Sequence, residues 1–114
     1  MFAAGAEGGT GGDAIRVAML YKPGRVSLVG QARSDTDPVH NRPPLAQTFQ
    51  VANGERFSLV VNHFKSKNCD ANSDPADFDA GDGQGCFNAA RLAQAQALGN
   101  FISQLQAVDP DVVV

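Results

Sequence analysis

The sequence predicts an α+β or layered α/β fold in one domain, and three observations carry that expectation. Apolar and polar residues alternate at a period of two through much of the first half. An Asn53-Gly54 pair separates two such runs, and an Ala- and Gln-rich segment of helical spacing precedes Val112 to Val114. Antiparallel hairpins followed by a helix that crosses to a further strand make a layered arrangement of sheet and helix.

Ile15, Val17, Met19 and Tyr21 alternate with Ala14, Arg16, Ala18 and Leu20, which predicts a strand. Pro23-Gly24 predicts a turn, and Val26, Leu28 and Gly30 alternate with Arg25, Ser27 and Val29, so the second strand is expected to return antiparallel to the first. Gln31 to Pro44 is polar, contains Pro38, Pro43 and Pro44, and reads as an irregular surface connection. Leu45 to Val51 and Arg56 to Phe64 then form a second hairpin around Asn53-Gly54, whose residues both tolerate positive φ. On its later strand Phe57, Leu59, Val61 and His63 share one face, while Ser58, Val60, Asn62 and Phe64 share the other. Residues 65–87 have no periodicity, a length that marks a functional or disordered connection. Asn88 is the expected N-cap of a helix that buries Leu92, Ala95, Leu98, Ile102 and Leu105; Pro110 marks its end or the turn just beyond it, and Val112 starts the next strand.

The chain has 114 residues, 43% of them apolar and 18% charged, which suits one domain. Its longest apolar run, Val17 to Tyr21, falls far short of the roughly 20 residues that cross a bilayer, so no membrane partner is expected. Residues 1–12 hold five glycines and read as a flexible segment without the basic start and apolar stretch of a secretory signal. Both ends read as cut, so residues 1–114 are expected to be one incomplete domain, with any export signal outside it. The net charge of −3 conceals a split: residues 14–67 carry eight basic side chains against three acidic ones, whereas from residue 68 onward Arg91 faces seven aspartates. The first half can therefore face phosphate.

Cys69 and Cys86 bracket a polar, Asp-rich segment, and a disulfide between them would tether a stretch with little apolar material of its own. That implies an oxidising compartment; the alternative is two free thiols. Val61-Asn62-His63-Phe64-Lys65-Ser66-Lys67 sets an imidazole, an amide, a hydroxyl and two ammonium groups where a hydrophobic strand runs out, which suits proton transfer at a bound ligand, although a lone strand-end histidine also serves structure alone. In Asn41-Arg42-Pro43-Pro44 the prolines stiffen the backbone beside a guanidinium suited to bidentate phosphate binding, the alternative being a solvated arginine. The aspartates between positions 70 and 82 invite a calcium reading, but their spacing fails the EF-hand pattern and Asn88 stands where its closing Glu belongs, which favours a solvated acidic loop. No Gly-x-Ser-x-Gly, nucleotide phosphate loop or His-Glu-x-x-His is present.

Five blocks in order, Asp13 to Pro23, Asn41 to Leu45, Val61 to Lys67, Gly81 to Asn88 with Arg91, and Asp109 to Val114, resemble bacterial extracellular nucleases of the endonuclease/exonuclease/phosphatase superfamily, to which pancreatic deoxyribonuclease belongs. The resemblance implies the middle of a four-layer sandwich, two β-sheets flanked by helices. It implies a secreted or periplasmic parent that hydrolyses phosphodiesters in DNA or RNA. His63 would be the catalytic residue at the scissile phosphate, and Arg42, Asn62 and Lys65 would contact phosphate. A divalent cation, magnesium or calcium, would be held by ligands outside this chain: an early Asn and Glu upstream, an Asp-x-Asn pair beyond Val114 and a later Asp-His pair. The piece alone would then be inactive. The alternatives on these residues are a phosphatase or lipid phosphodiesterase on the same scaffold, or a non-catalytic extracellular binding module.

Overall fold

The computed structural model of the chain describes residues 9–70 and 74–114. Most of the segment expected to be flexible, residues 1–12, and three positions of the acidic loop, 71–73, lie outside the described residues. The architecture is a small α+β domain: β1 (Val26–Ser34), β2 (Leu45–Val51), β3 (Arg56–Val61), a single 3-10 turn at Pro75–Asp77, α1 (Asn88–Gln106) and β4 (Val112–Val113). The four strands form one mixed sheet in the order β1-β2-β3-β4. The first two pairings are antiparallel and the last is parallel, so α1 is the crossover of a β-α-β unit.

The β2/β3 hairpin forms as the alternation predicts, with Leu45 opposite Val61 and Phe49 opposite Phe57. Its turn differs from the expected one. Gly54 N–H donates to Val51 O and Val51 N–H to Glu55 O, both at 2.9 Å, and Gly54 has φ +92° while Asn53 keeps a negative φ. This is a three-residue loop, a type I turn closed by a glycine bulge, rather than a two-residue turn with two positive φ angles.

The first expected hairpin is corrected. Ala14 to Tyr21 is not a strand, and β1 takes β2 as its neighbour. The turn at Pro23-Gly24 does form, with Arg25 N–H on Lys22 O at 3.1 Å and Gly24 at φ +85°. The alternation before it reports burial instead of pairing: Met19 is buried, Val17 and Tyr21 pack beside it, and Tyr21 lies 5.8 Å from the Phe49 ring. A period of two states which side chains turn inward, and it does so equally for a ladder strand and for an extended segment laid on a sheet face. The polar connection is corrected too. Its first four residues continue β1 beyond a register shift between Val29 and Arg33, and His40 and Pro44 are buried. At the shift, buried Gln47 donates to the carbonyls of Val29 and Gly30 at 3.3 Å, replacing ladder partners that the bulge removes.

Two apolar clusters lie on the two sides of the sheet. Met19, Ala32, Leu45 and Phe49 form one, joined by Phe57, Leu59 and Val61. Ala46, Val60, Leu98, Phe101 and Leu105 form the other, beneath α1, joined by Phe64, Ile102 and Val112. The helix stripe is rotated from the expected one: Gln94, Ala97, Leu98, Phe101 and Leu105 are buried, while Leu92 is 60% exposed and Ala95 lies on the surface. The expected N-cap is also displaced by one residue. Phe87 occupies that position in the left-handed region at φ 62°, and Asn88 is already helical.

Candidate functional site

β3 ends at Val61, and the chain leaves the sheet through Asn62, His63, Phe64 and Lys65. Phe64 turns towards the helix-side cluster. That fixes the main chain at the exit and leaves His63 exposed, with Asn62 and Lys65 half-buried. The Lys65 N–H donates to Gln94 Oε1 at 2.8 Å. Its ammonium lies 4.3 Å from the centre of the Phe87 ring and 3.7 Å from Asp70 Oδ2, an exposed pair worth little by itself.

The loop that carries Arg42 meets this exit. Arg42 Nη1 reaches the Phe64 carbonyl at 3.5 Å, one peptide beyond His63. Its Nε lies 3.4 Å from Asp13 Oδ2, close enough for ion pairing, but the N–H is not aligned for a hydrogen bond and Nε is buried without one. The Asp13 carboxyl is held below its ordinary value of 3.8, first by the Ile15 N–H that donates to it at 3.1 Å, then by the Arg42 charge, with Lys65 adding less; partial desolvation opposes them. Pro43 packs so closely on Gly11 that a Cβ there would stand 2.6 Å from Pro43 Cδ, so the left-handed Gly11 is what lets the N-terminal segment lie against this loop.

The loop before Arg42 has an interior of its own. His40, 8% exposed, places Nε2 2.8 Å from Asp35 Oδ2. Asp35 Oδ1 accepts from Asp37 N–H at 3.0 Å, and Asp35 N–H donates to Pro44 O at 3.1 Å. A charge-assisted His-carboxylate contact inside a turn of this kind stiffens the peptide that presents Arg42.

The second connection is tied down by the Cys69–Cys86 disulfide, with Cα atoms 5.1 Å apart. Arg91 donates to the carbonyls of Cys86 and Gln84 at 2.7 Å and of Ser66 at 3.3 Å, and Cys86 N–H to Lys67 O at 3.1 Å. The aspartates of the acidic loop mostly make turns: Asp74, Asp79 and Asp82 each accept from the N–H two residues on. Asp77 accepts from Ala90 N–H at 3.1 Å and so caps α1 from outside the helix, a role the sequence had assigned to Asn88. Among the described residues no three His, Cys, Asp or Glu side chains are grouped to hold a metal ion.

Of the residues singled out in the sequence, Arg42 and Lys65 are brought to the strand exit, Arg42 through Phe64 O and Lys65 one residue further on, and the exposed His63 immediately precedes that contact in the chain. Neither the Asn62 nor the His63 side chain makes a hydrogen bond or ion pair among the described residues. Gln94, Asp13 and the His40–Asp35 contact are site features that the sequence reading missed. Gln94 had a visible signal: it is the polar member of an otherwise apolar helical stripe. Among the described residues no helix is long and apolar enough to cross a membrane. Compared with protein-family models, curated proteins and solved structures, the chain finds no match.

Proposed function

We propose that the chain supplies the phosphate-contacting and proton-transferring part of a metal-dependent phosphodiesterase acting on nucleic acid in an oxidising, extracellular or periplasmic setting. The observation that carries this reading is the meeting of the Arg42 guanidinium with the Phe64 carbonyl, which brings an arginine to the strand exit that carries Lys65 and the exposed His63. Arginine and lysine there would contact non-bridging phosphate oxygens, and an exposed imidazole without a partner among the described residues can exchange a proton with the reacting or leaving oxygen. Asn62, half-buried beside His63, has amide groups available to the same phosphate. In the proposed complete fold the sheet face of Phe57, Leu59 and Val61 would pack on a second sheet, giving the four-layer sandwich that the resemblance implies.

The described residues do not fit a divalent cation, since no three His, Cys, Asp or Glu side chains among them are grouped and the carboxylates nearest the site, Asp13 and Asp70, are paired with Arg42 and Lys65. The cation of the proposed enzyme would take the ligands that the resemblance sets outside this chain. Asp13 and Asp70 stand against the two cations that phosphate would meet, so binding exchanges these carboxylates for the ligand.

Titration of the chain with a short DNA or RNA duplex across a salt series tests the contact. Arg42→Ala and Lys65→Ala are each expected to weaken binding and to lower the salt slope by about one counterion. A slope indifferent to both would refute the assignment. Cleavage assays of a longer protein containing this chain, on plasmid DNA, RNA and phospholipid vesicles, separate nuclease from lipid phosphodiesterase. In the active protein His63→Ala is expected to lower kcat by roughly 10²- to 10⁴-fold.

A further inference from the structure

We infer that Gln94 is a positioning residue that couples the Asn41-Arg42 loop to the Phe64-Lys65 strand exit, so that Arg42 and Lys65 meet an anionic ligand as one unit. The effect on ligand rests on the phosphodiester reading above; the coupling itself does not.

Gln94 is 2% exposed and lies in the same helical stripe as Ala97, Leu98, Phe101 and Leu105. A buried primary amide destabilises unless its polar atoms are paired, and here they are paired with both loops at once. Oε1 accepts from Lys65 N–H at 2.8 Å, while Nε2 donates to Val39 O and to Asn41 Oδ1, each at 3.1 Å. The amide is planar, so these bonds set Lys65 N relative to the Val39-Asn41 turn through one rigid group. The direct link between the two segments, Arg42 Nη1 to Phe64 O, is long at 3.5 Å and belongs to the cation that would have to turn towards phosphate. The amide can therefore hold the segments together while Arg42 changes partner. Asparagine is one methylene too short to span the same three atoms, and an aliphatic side chain of similar volume would fill the space and leave Lys65 N–H and Val39 C=O unpaired.

The test compares the whole chain with Gln94→Met and Gln94→Glu. It follows the Lys65 amide by hydrogen exchange, Arg42 Nε–H by NMR, and affinity for a short DNA duplex. In Gln94→Met we expect Lys65 to exchange at least about tenfold faster, the Arg42 signal to shift, and Kd to rise about tenfold, with Phe101 and Leu105 amides still protected. Gln94→Glu keeps the acceptor for Lys65 and loses both donors, so Lys65 should stay protected while Arg42 shifts. If that variant fails to fold around a buried carboxylate, the methionine variant decides the matter. An unmoved Arg42 signal in Gln94→Met, or loss of protection along the whole helix, would overturn the coupling and leave Gln94 as core filling. If the unaltered chain does not bind the duplex, the phosphodiester reading fails, and the coupling is still judged by the Lys65 and Arg42 signals.

Discussion

Reducing the Cys69–Cys86 bond releases the connection between β3 and α1, and the loop length sets the size of the effect. The two cysteines are 17 positions apart. In the chain-entropy treatment a crosslink closing a loop of that length stabilises by about 3 kcal/mol. Spent on local opening, that is a shift of about a hundredfold in the equilibrium between closed and open loop. The loop holds few apolar contacts to replace it; Phe78 is 58% exposed. Its remaining ties are the Arg91 hydrogen bonds, the Lys67–Cys86 and Asp77–Phe87 backbone bonds and the Asp77 cap. Hydrogen exchange with and without a phosphine reductant reads the effect. The Cys86 and Phe87 amides, bonded to Lys67 O at 3.1 Å and Asp77 O at 2.7 Å, should lose up to about a hundredfold of their protection, and residues of β2 should lose little. Thiol titration should find none before reduction and two after it. Unchanged exchange at Cys86 and Phe87 would show that hydrogen bonds alone hold the loop and would refute the reasoning.

Phe101→Ala removes a 4% exposed ring from between helix and sheet and is expected to destabilise by about 3–5 kcal/mol, measured by urea unfolding. Gly85 has φ +67° and a Cβ there would lie 3.0 Å from Lys67 Cβ and 3.1 Å from Lys67 O, so Gly85→Ala should destabilise by at least about 1 kcal/mol in the same assay; a neutral result would show that the two segments separate freely. Asp77→Ala should lower stability by about 1 kcal/mol through loss of the Ala90 contact, with faster exchange confined to the first turn of α1. Because the folded-state pKa of Asp13 is depressed, its contribution is present above the ordinary carboxylate value of 3.8 and lost as pH falls through the lower folded value. The Arg42 Nε–H resonance should therefore hold steady from neutral pH down to about the ordinary carboxylate range and shift only below it; a midpoint above 3.8 would contradict the assigned pairing.

Short-range physics was legible in the residues. The β2/β3 alternation, the glycine turn, the length of α1 and the strand after Pro110 follow from side-chain period and turn chemistry, which act within a few positions. The pairing of Cys69 with Cys86 was legible because two cysteines allow one bond. The meeting of Arg42 with the end of β3 was not legible from spacing, since 22 positions separate Arg42 from Phe64.

What only the tertiary structure decided involves partners far apart in the chain. Alternation in residues 14–21 marks Met19 as inward, and the choice between pairing with β1 and lying on the sheet depends on which surface is left open once β2 has taken that edge. Helical periodicity allows several neighbouring stripes in an Ala-rich segment. The one used has Gln94 at its N-terminal end, because the loops beneath it offer a backbone N–H and two oxygen acceptors, and Leu92 is consequently turned to solvent. A side chain's period is written locally, whereas the unpaired groups it must satisfy are supplied by segments that arrive only when the chain has folded.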